Sequence, residues 1–179
     1  MRIISGHLKG RRLIAPKSLP TRPTTDMAKE ALFNILNNQY YFDEIKVLDL
    51  FSGTGNISYE FASRGCNAIT SIDNYWKCVE FIEETAAHLN INIKAIKRDV
   101  FKYLETQQDN FDVIFADPPY NLDLHAFETM VELVFENHTL SKQGLLVIEH
   151  SKHTDLSHIE QFSYLKTYGS SAFSFFEAT

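Results

Sequence analysis

The fold of this chain is decided by the stretch Val47-Leu48-Asp49-Leu50-Phe51-Ser52-Gly53-Thr54-Gly55-Asn56. The stretch opens with an apolar run that is too short for a helix, which predicts a buried β-strand. Two glycines then interrupt the run, and helix-compatible residues follow at 57–64. A strand, a Gly-x-Gly turn and a helix form the opening βα unit of a nucleotide-binding α/β sheet. Gly53 and Gly55 allow the backbone to pass close to a ligand.

The turn departs from the dinucleotide-binding fingerprint at its third glycine. That position is occupied by Ser58, so the pyrophosphate-cradling pattern is incomplete. Asp49 instead creates an Asp-x-x-x-Gly-x-Gly pattern, which resembles the first motif of S-adenosylmethionine (SAM) methyltransferases. An ordinary tight βα connection without a ligand is the alternative interpretation of the same residues.

Strands and helices alternate on both sides of this stretch. Further strands are predicted at Ala68–Ile72, Ile93–Ile96, Phe111–Ala116 and Leu145–Glu149, with helices at 75–89, 100–106 and 124–135. Weak helical character is predicted at 154–162, followed by a hairpin of Tyr164–Tyr168 and Phe173–Phe176. We therefore predict a doubly wound, Rossmann-like α/β fold of the class I SAM methyltransferase type, mostly parallel, with an antiparallel C-terminal edge strand.

Basic residues concentrate at the N-terminus. Residues 1–25 hold six basic residues and no acid, whereas residues 26–179 carry a formal charge of −12, within a chain total of −6. Glycines and prolines shape the segment into a predicted small arm or hairpin, and an amphipathic helix follows from about residue 28, with Thr25 or Asp26 as its N-cap. We predict that residues 1–25 form an RNA-binding arm and residues 26–179 a methyltransferase domain.

Length and composition indicate an ordinary globular protein. The 179 residues fit one core, and 44% of them are hydrophobic. The sequence contains neither a long apolar run nor the apolar core of a signal peptide, so no membrane span is expected. Two cysteines do not suggest a disulfide framework, which favours a reducing, cytoplasmic location.

Three acids are predicted at strand ends on the ligand side of the sheet. Asp73 could accept both hydroxyls of a ribose, Asp99 could accept an adenine amine, and Asp49 could orient a methionine ammonium. Each acid could instead be an ordinary helix or turn cap. The predicted cofactor site also includes the neighbouring residues Phe51, Ser52, Thr54, Asn74 and Val100.

The sequence Asp117-Pro118-Pro119-Tyr120 follows the predicted fourth strand. Two prolines remove two N–H donors and hold the backbone extended, which leaves the Pro118 carbonyl as a rigid acceptor beside the Asp117 carboxylate. Such acceptors can hold an exocyclic aromatic amine while Tyr120 stacks on the base. A proline-stiffened surface loop is the alternative.

These motifs resemble those of a known family. Asp-Pro-Pro-Tyr together with Asp49–Gly55 resembles SAM-dependent amino-methyltransferases of nucleic-acid bases. The chain specifically resembles the bacterial RsmD family, which methylates guanine N2 in small-subunit ribosomal RNA. The stretches that carry this resemblance are Ile3–Gly6, Lys9–Leu13, Pro20–Thr25 and Glu30–Asn34. Only the Phe- and Ser-rich tail from Tyr164 departs from the more basic tails of that family.

The resemblance implies function, partners and site residues. It implies methyl transfer from SAM to a guanine N2 amine of 16S ribosomal RNA, within an assembling small subunit. We expect a monomer by default, and no metal, because methyl transfer does not need one. The catalytic residues would be Asp117, Pro118, Pro119 and Tyr120. The RNA-binding residues would be Lys9, Arg11, Arg12 and Arg22.

Alternatives remain at this stage. The four-residue motif is shared with adenine-N6 methylases of DNA or RNA, and a non-catalytic ribosome-associated RNA-binding protein could keep the same fold. His150, His153 and His158 could suggest a metal site, but no cysteine or carboxylate cluster accompanies them.

Overall fold

The computed structural model describes residues 1–19 and 24–177. Seven strands form one sheet: β1 (Lys46–Leu50), β2 (Ala68–Asp73), β3 (Lys94–Lys97), β4 (Phe111–Ala116), β5 (Leu140–Ser151), β6 (Phe162–Tyr168) and β7 (Ser171–Glu177). The helices are α1 (Asp26–Asn37), α2 (Asn56–Ser63), α3 (Trp76–Leu89), α4 (Val100–Thr106) and α5 (Leu124–Glu136), with a short 3-10 turn at Phe42–Glu44.

The strand order is β3-β2-β1-β4-β5-β7-β6, which confirms the predicted doubly wound sheet. Strands β1 to β5 pair in parallel, and the order reverses between β1 and β4. A crevice opens at such a switch point, at the carboxyl ends of the strands. The glycine turn after β1 lies at this crevice.

The C-terminal hairpin corrects one detail of the prediction. Strand β7 is antiparallel to both β5 and β6 and lies between them, so the edge strand β6 runs parallel to the rest. The reason is the composition of β7, because an interior strand must be apolar on both faces. Its side chains Phe173, Phe175 and Phe176 are fully buried. The Phe-rich tail is therefore part of the hydrophobic core.

Two apolar layers cover the two faces of the sheet. The alternation along β1 sends Val47 towards α1, α2 and α3, and sends Leu48 and Leu50 towards α4 and α5. Asp49 lies on the same face as Val47 and therefore points towards α2.

No helix forms at the predicted 154–162 segment. Single turns occupy this region, closed by Ile159 N donating to Leu156 O and Phe162 N donating to Ile159 O. Asp155 also accepts a hydrogen bond from Ser157 N, a local side-chain bond that competes with helix formation. Leu156 is buried as a single anchor instead of being one residue of an apolar stripe.

The N-terminus forms the predicted hairpin. Its strands pair through Ile3 N donating to Arg11 O and Leu13 N donating to Met1 O. The hairpin packs along α2, where Ile3 and Leu8 are buried in the same apolar layer as Phe33. Residues 1–19 are thus basic, whereas residues 26–179 are acidic overall, but both parts contribute side chains to the same hydrophobic core. The predicted Pro20–Pro23 segment lies outside the described residues.

Candidate active site

One cavity of about 370 Å³ opens at the carboxyl ends of β1, β2 and β4. Most of the predicted site residues line it, together with several that were not predicted. The lining residues are Thr24, Asp49, Phe51, Ser52, Gly53, Thr54, Asn56, Ile57, Asp73, Asn74, Tyr75, Cys78, Phe115, Asp117, Pro118, Pro119 and Tyr120.

The glycine turn forms the floor of the cavity. Gly53 and Gly55 adopt φ angles of 52° and 80°, in the left-handed region that glycine tolerates best. A Cβ atom at Gly55 would lie 2.9 Å from side-chain carbons of both Ile82 and Tyr59, so a larger residue cannot fit. Gly53 thus brings bare backbone to the cavity, and Gly55 lets the turn pack closely against Ile82 and Tyr59.

Asp73 connects the turn to the end of β2. Its Oδ2 accepts a hydrogen bond from Gly53 N at 2.8 Å, and its Oδ1 accepts one from Tyr75 N at 2.9 Å. Each carboxylate oxygen has a second lone pair, so both remain able to accept a ligand hydroxyl. The two backbone bonds fix the orientation of the carboxylate at the edge of the cavity.

Asp49 lies at the inner end of the cavity with only 2% of its surface exposed. Ser58 Oγ donates to Asp49 Oδ2 at 2.5 Å and lies 2.7 Å from Ser71 Oγ. Burial raises the pKa of Asp49 to about 7, although the hydrogen bonds from Ser58 oppose this effect. Ser58, at the position of the missing third glycine, thus supports a buried carboxyl group.

Three predicted cofactor residues, Gly55, Asp99 and Val100, do not line the cavity. Gly55 lies against Ile82 and Tyr59. Asp99 is exposed and accepts a hydrogen bond from Lys102 N, which makes it the N-cap of α4. Val100 is buried in the layer under α4 and α5. For Asp99 the structure supports the capping role that the sequence left open.

The Asp117–Tyr120 loop forms one wall of the cavity mouth. Asp117 N donates to Leu50 O at 3.3 Å, which fixes the loop to the end of β1, and Pro119 O accepts from Leu122 N. Pro118 is buried, whereas the Tyr120 side chain is 58% exposed. The loop thus presents a carboxylate and an aromatic ring beside the floor of the cavity.

Several cavity residues were not predicted. Thr24 lines the cavity from the segment before α1, far from the glycine turn in sequence. It belongs to the Pro20–Thr25 motif of the family resemblance, but that motif did not indicate a place in the cavity. Asn56 and Tyr75 directly follow the predicted site residues Gly55 and Asn74. This adjacency was the one feature of the sequence that could have identified them as cavity residues. Burial raises the pKa of the Cys78 thiol to about 11, which makes it a poor nucleophile.

The family assignment follows from comparison with known proteins. The family model described as conserved hypothetical protein 95 matches residues 1–177. Several curated relatives share the name ribosomal RNA small subunit methyltransferase D, abbreviated RsmD. The chain belongs to the RsmD family.

Relatives in the RsmD family match most of the chain. The Haemophilus influenzae protein is 31% identical over 179 residues, covering 93% of this chain and 86% of its own length. The protein from Buchnera aphidicola of Acyrthosiphon pisum is 33% identical, covering 84% of this chain and 78% of its own length. The match to the family model, over residues 1–177, includes both the N-terminal hairpin and the sheet.

Solved structures confirm the Rossmann-like methyltransferase fold. The yhhF protein of Escherichia coli is 26% identical, with a TM-score of 0.87 over 100% of this chain and 99% of its own. RsmC of Thermus thermophilus, a 16S rRNA N2 methyltransferase solved with AdoMet and guanosine, shares the fold at 19% identity and a TM-score of 0.73, over 100% of this chain and 49% of its own. SAM is the cofactor of this RsmD-family protein, and the glycine turn with Asp73 fits it.

The predicted RNA-binding residues that the structure describes lie on the surface of this RsmD-family chain. Lys9, Arg11 and Arg12 are exposed on the hairpin, and Arg22 lies outside the described residues. Within residues 1–19 and 24–177, no group of three or more His, Cys, Asp or Glu side chains could hold a metal ion. In that same part of the chain no helix is long and apolar enough to cross a membrane.

Proposed function

We propose that this protein transfers the methyl group of SAM to the exocyclic N2 amine of a guanine in 16S ribosomal RNA. The observation that carries the proposal is the placement of Asp117, Pro118 and Tyr120 at the mouth of the cavity whose floor is the glycine turn. The proposal is supported by the RsmD resemblance of the N-terminal motifs and by the name of the curated relatives.

The floor of the cavity would hold the cofactor. SAM supplies a methyl group on a sulfonium centre that is already activated, so the protein contributes binding and orientation. Asp73 would accept the ribose hydroxyls, the backbone at Gly53 and Gly55 would approach the cofactor closely, and Asp49 would balance its ammonium group. Phe51, Ser52, Thr54 and Asn74 would complete the contacts.

The mouth of the cavity would hold the base. An exocyclic amine is a weak nucleophile because its lone pair is delocalised into the ring. Asp117 and the Pro118 carbonyl would accept its two N–H hydrogens, which directs the lone pair towards the methyl group. The N–C bond would form as the S–C bond of SAM breaks, which would leave the neutral demethylated thioether, and the methylated nitrogen would then release a proton to solvent. Tyr120 would stack on the base, which contributes about 1–3 kcal/mol.

The N-terminal hairpin would hold the RNA backbone. Lys9, Arg11 and Arg12 are exposed on the hairpin, and residues 26–179 carry a formal charge of −12 that repels RNA. We propose that these cations, together with Arg22, contact phosphates of an assembling small subunit, and that the enzyme acts in the cytoplasm as a monomer.

A product digest tests this function. Wild-type protein and Asp117→Ala are incubated with labelled SAM and either naked 16S rRNA or small ribosomal subunits from cells that lack the enzyme. Nucleosides from the digest are then separated. We expect N2-methylguanosine with the wild type and loss of label with the variant. Labelled methyladenosine would instead support an adenine-N6 methylase, and no label on any RNA would support a non-catalytic RNA-binding protein.

A further inference from the structure

A network of buried side chains connects the basic hairpin to the wall of the cavity. Its centre is Lys29 on α1, whose surface is only 1% exposed. Lys29 Nζ donates to Arg2 O at 2.6 Å and to Asn56 Oδ1 at 2.8 Å, and lies 3.4 Å from Glu60 Oε2. An ammonium group has three N–H donors, so these partners can satisfy all of them.

One branch of the network holds the hairpin. Glu60 is fully buried on α2, and its carboxylate accepts hydrogen bonds from Ile4 N at 2.9 Å and Ser5 N at 3.0 Å. Arg64 Nε donates to the same carboxylate at 2.9 Å. The hairpin backbone is therefore fixed to α2 through a carboxylate that both Lys29 and Arg64 neutralise.

The other branch reaches the cavity. Asn56 lines the cavity, and its Nδ2 donates to Thr24 O at 3.2 Å. Thr24 also lines the cavity and donates from Oγ1 to Glu149 Oε2 at 2.5 Å. Glu149 follows Ile148, which pairs with Ala116, the residue before Asp117. This branch therefore ends beside the Asp117–Tyr120 loop.

We propose that Lys29 is a positioning residue that keeps the hairpin and the cavity wall in one fixed relative geometry. The inference rests on the proposed function, because it assigns Lys29 the task of aligning hairpin-bound RNA with the methyl-transfer site. Neutralising Glu60 does not by itself require Lys29, since Arg64 already contacts that carboxylate. The bond from Lys29 to Asn56 has no part in neutralising Glu60, and it is the one that reaches the cavity.

Two matched variants separate positioning from stability. Lys29→Met and Arg64→Met each remove one cationic partner of Glu60, but only Lys29 contacts Asn56. We expect both to lower Tm. At saturating SAM and RNA, well below Tm, we expect kcat to fall on the order of 10- to 100-fold in Lys29→Met alone, as small misplacements of reacting groups do. The salt dependence of RNA affinity should stay unchanged in both. A kcat of Lys29→Met equal to that of Arg64→Met would overturn the proposal.

Asn56→Leu keeps the test decisive if Lys29→Met does not fold. This variant preserves both cations beside Glu60 and removes the contact between Lys29 and the cavity wall. Because Asn56 itself lines the cavity, the SAM affinity of the variant is measured first and kcat is compared at saturating SAM. We expect a lower kcat with unchanged salt dependence of RNA binding, and a wild-type kcat would contradict the proposal. If Lys29→Met folds, the double variant should lose no more activity than the more impaired single variant, because both act through one contact.

The outcomes distinguish this inference from the proposed function. If the wild-type protein methylates no ribosomal RNA, the proposed function itself fails. If the wild type methylates RNA but Lys29→Met and Arg64→Met show the same kcat, only the role of Lys29 fails.

Discussion

At the scale of single residues, two carboxyl groups in the cavity have different environments. Asp73 accepts two backbone hydrogen bonds and is half-buried, whereas Asp49 is almost wholly enclosed and its pKa is raised by burial. Both line the proposed SAM site, and the raised pKa of Asp49 should make this group change its charge near neutral pH. The affinity for SAM should therefore respond differently to substitutions at Asp49 and at Asp73.

Asp49 should make SAM affinity dependent on pH. An ionised Asp49 attracts the ligand ammonium, and the pKa of this carboxyl group is about 7. We expect the affinity to be constant above pH 7 and to fall below it, by at most about tenfold per pH unit. Calorimetry across this range measures the effect, and Asp49→Asn should bind weakly with no dependence near pH 7. Equal wild-type affinity at acidic and alkaline pH would exclude this role of Asp49.

The same group should destabilise the ligand-free protein as pH rises. The folded pKa of Asp49 lies above its ordinary value of 3.8, so folding favours the protonated form. Its contribution to the free energy of unfolding should thus decline from about pH 4 and be lost by about pH 7, on the order of 4 kcal/mol. Asp49→Asn should show a smaller decline in denaturant titrations. Parallel profiles for the two proteins would contradict the prediction.

Asp73 should contribute directly to cofactor affinity. In Asp73→Ala the ribose hydroxyls would lose a charged acceptor, which should cost about 1.5–3 kcal/mol of binding free energy. Asp99→Ala is the matched control, because that carboxylate caps α4 outside the cavity. The control should lose about 0.5–2 kcal/mol of stability but no SAM affinity. Calorimetry that shows the reverse pattern would restore Asp99 to the cofactor site.

At the scale of elements, loops at the carboxyl ends of parallel strands build the cavity. The loop after β1 supplies its floor, the end of β2 supplies Asp73, and the loop after β4 supplies Asp117 and Tyr120. Rigid strands determine where these loops begin, so the cofactor and base sites keep a fixed separation. The two sites should consequently respond to mutation independently.

Changes in the loop after β4 should separate catalysis from cofactor binding. Asp117→Ala and Tyr120→Ala should lose methyl transfer because the base is no longer held and stacked. SAM affinity should remain near that of the wild type, since the proposed cofactor contacts lie on the turn after β1 and at Asp73. Tyr120→Phe keeps the ring and should retain most activity. Activity near the wild-type level in both alanine variants would refute the assignment of the base site.

At the scale of the whole molecule, the hairpin has two roles that deletion cannot separate. Its exposed face carries Lys9, Arg11 and Arg12, while its inner face contributes Ile3 and Leu8 to the core. Removing the hairpin would also leave Glu60 buried without its Ile4 and Ser5 partners. Charge substitutions on the exposed face therefore test RNA binding more cleanly than truncation.

Neutralising the hairpin should weaken RNA binding and reduce its salt dependence. Each phosphate contact contributes about 0.7–0.9 to the slope of log affinity against log salt concentration. Arg11→Gln with Arg12→Gln should therefore lower the slope, whereas Lys142→Gln with Lys166→Gln removes the same charge from exposed positions on the body. Filter binding with 16S rRNA at several salt concentrations measures both. Equal slopes for the two double variants would eliminate the hairpin as the RNA-binding element.

The local patterns of the sequence determined most of the sheet and the floor of the cavity. The run from Val47 to Asn56 could be recognised because a buried strand and a glycine turn are encoded by neighbouring residues. The same holds for Asp73 and for Asp117–Tyr120, which directly follow apolar strands. Apolar periodicity predicted the amphipathic helices in the same way. It wrongly predicted weak helical character at 154–162, because the single buried Leu156 resembles part of a short apolar stripe.

Only the tertiary structure decided which residues that are distant in sequence contact one another. Strand β7 lies inside the sheet because its aromatic side chains require cover on both faces, a property that depends on distant partners. Lys29 and Glu60 showed no local signal, and the family motif that contains Thr24 did not indicate its place in the cavity, because each of these residues acts through groups far from it in sequence. A buried charge must be satisfied by whichever donors and acceptors the fold brings near. For this reason the sequence predicted the hairpin and the cavity separately, and the three-dimensional packing determined that they are connected.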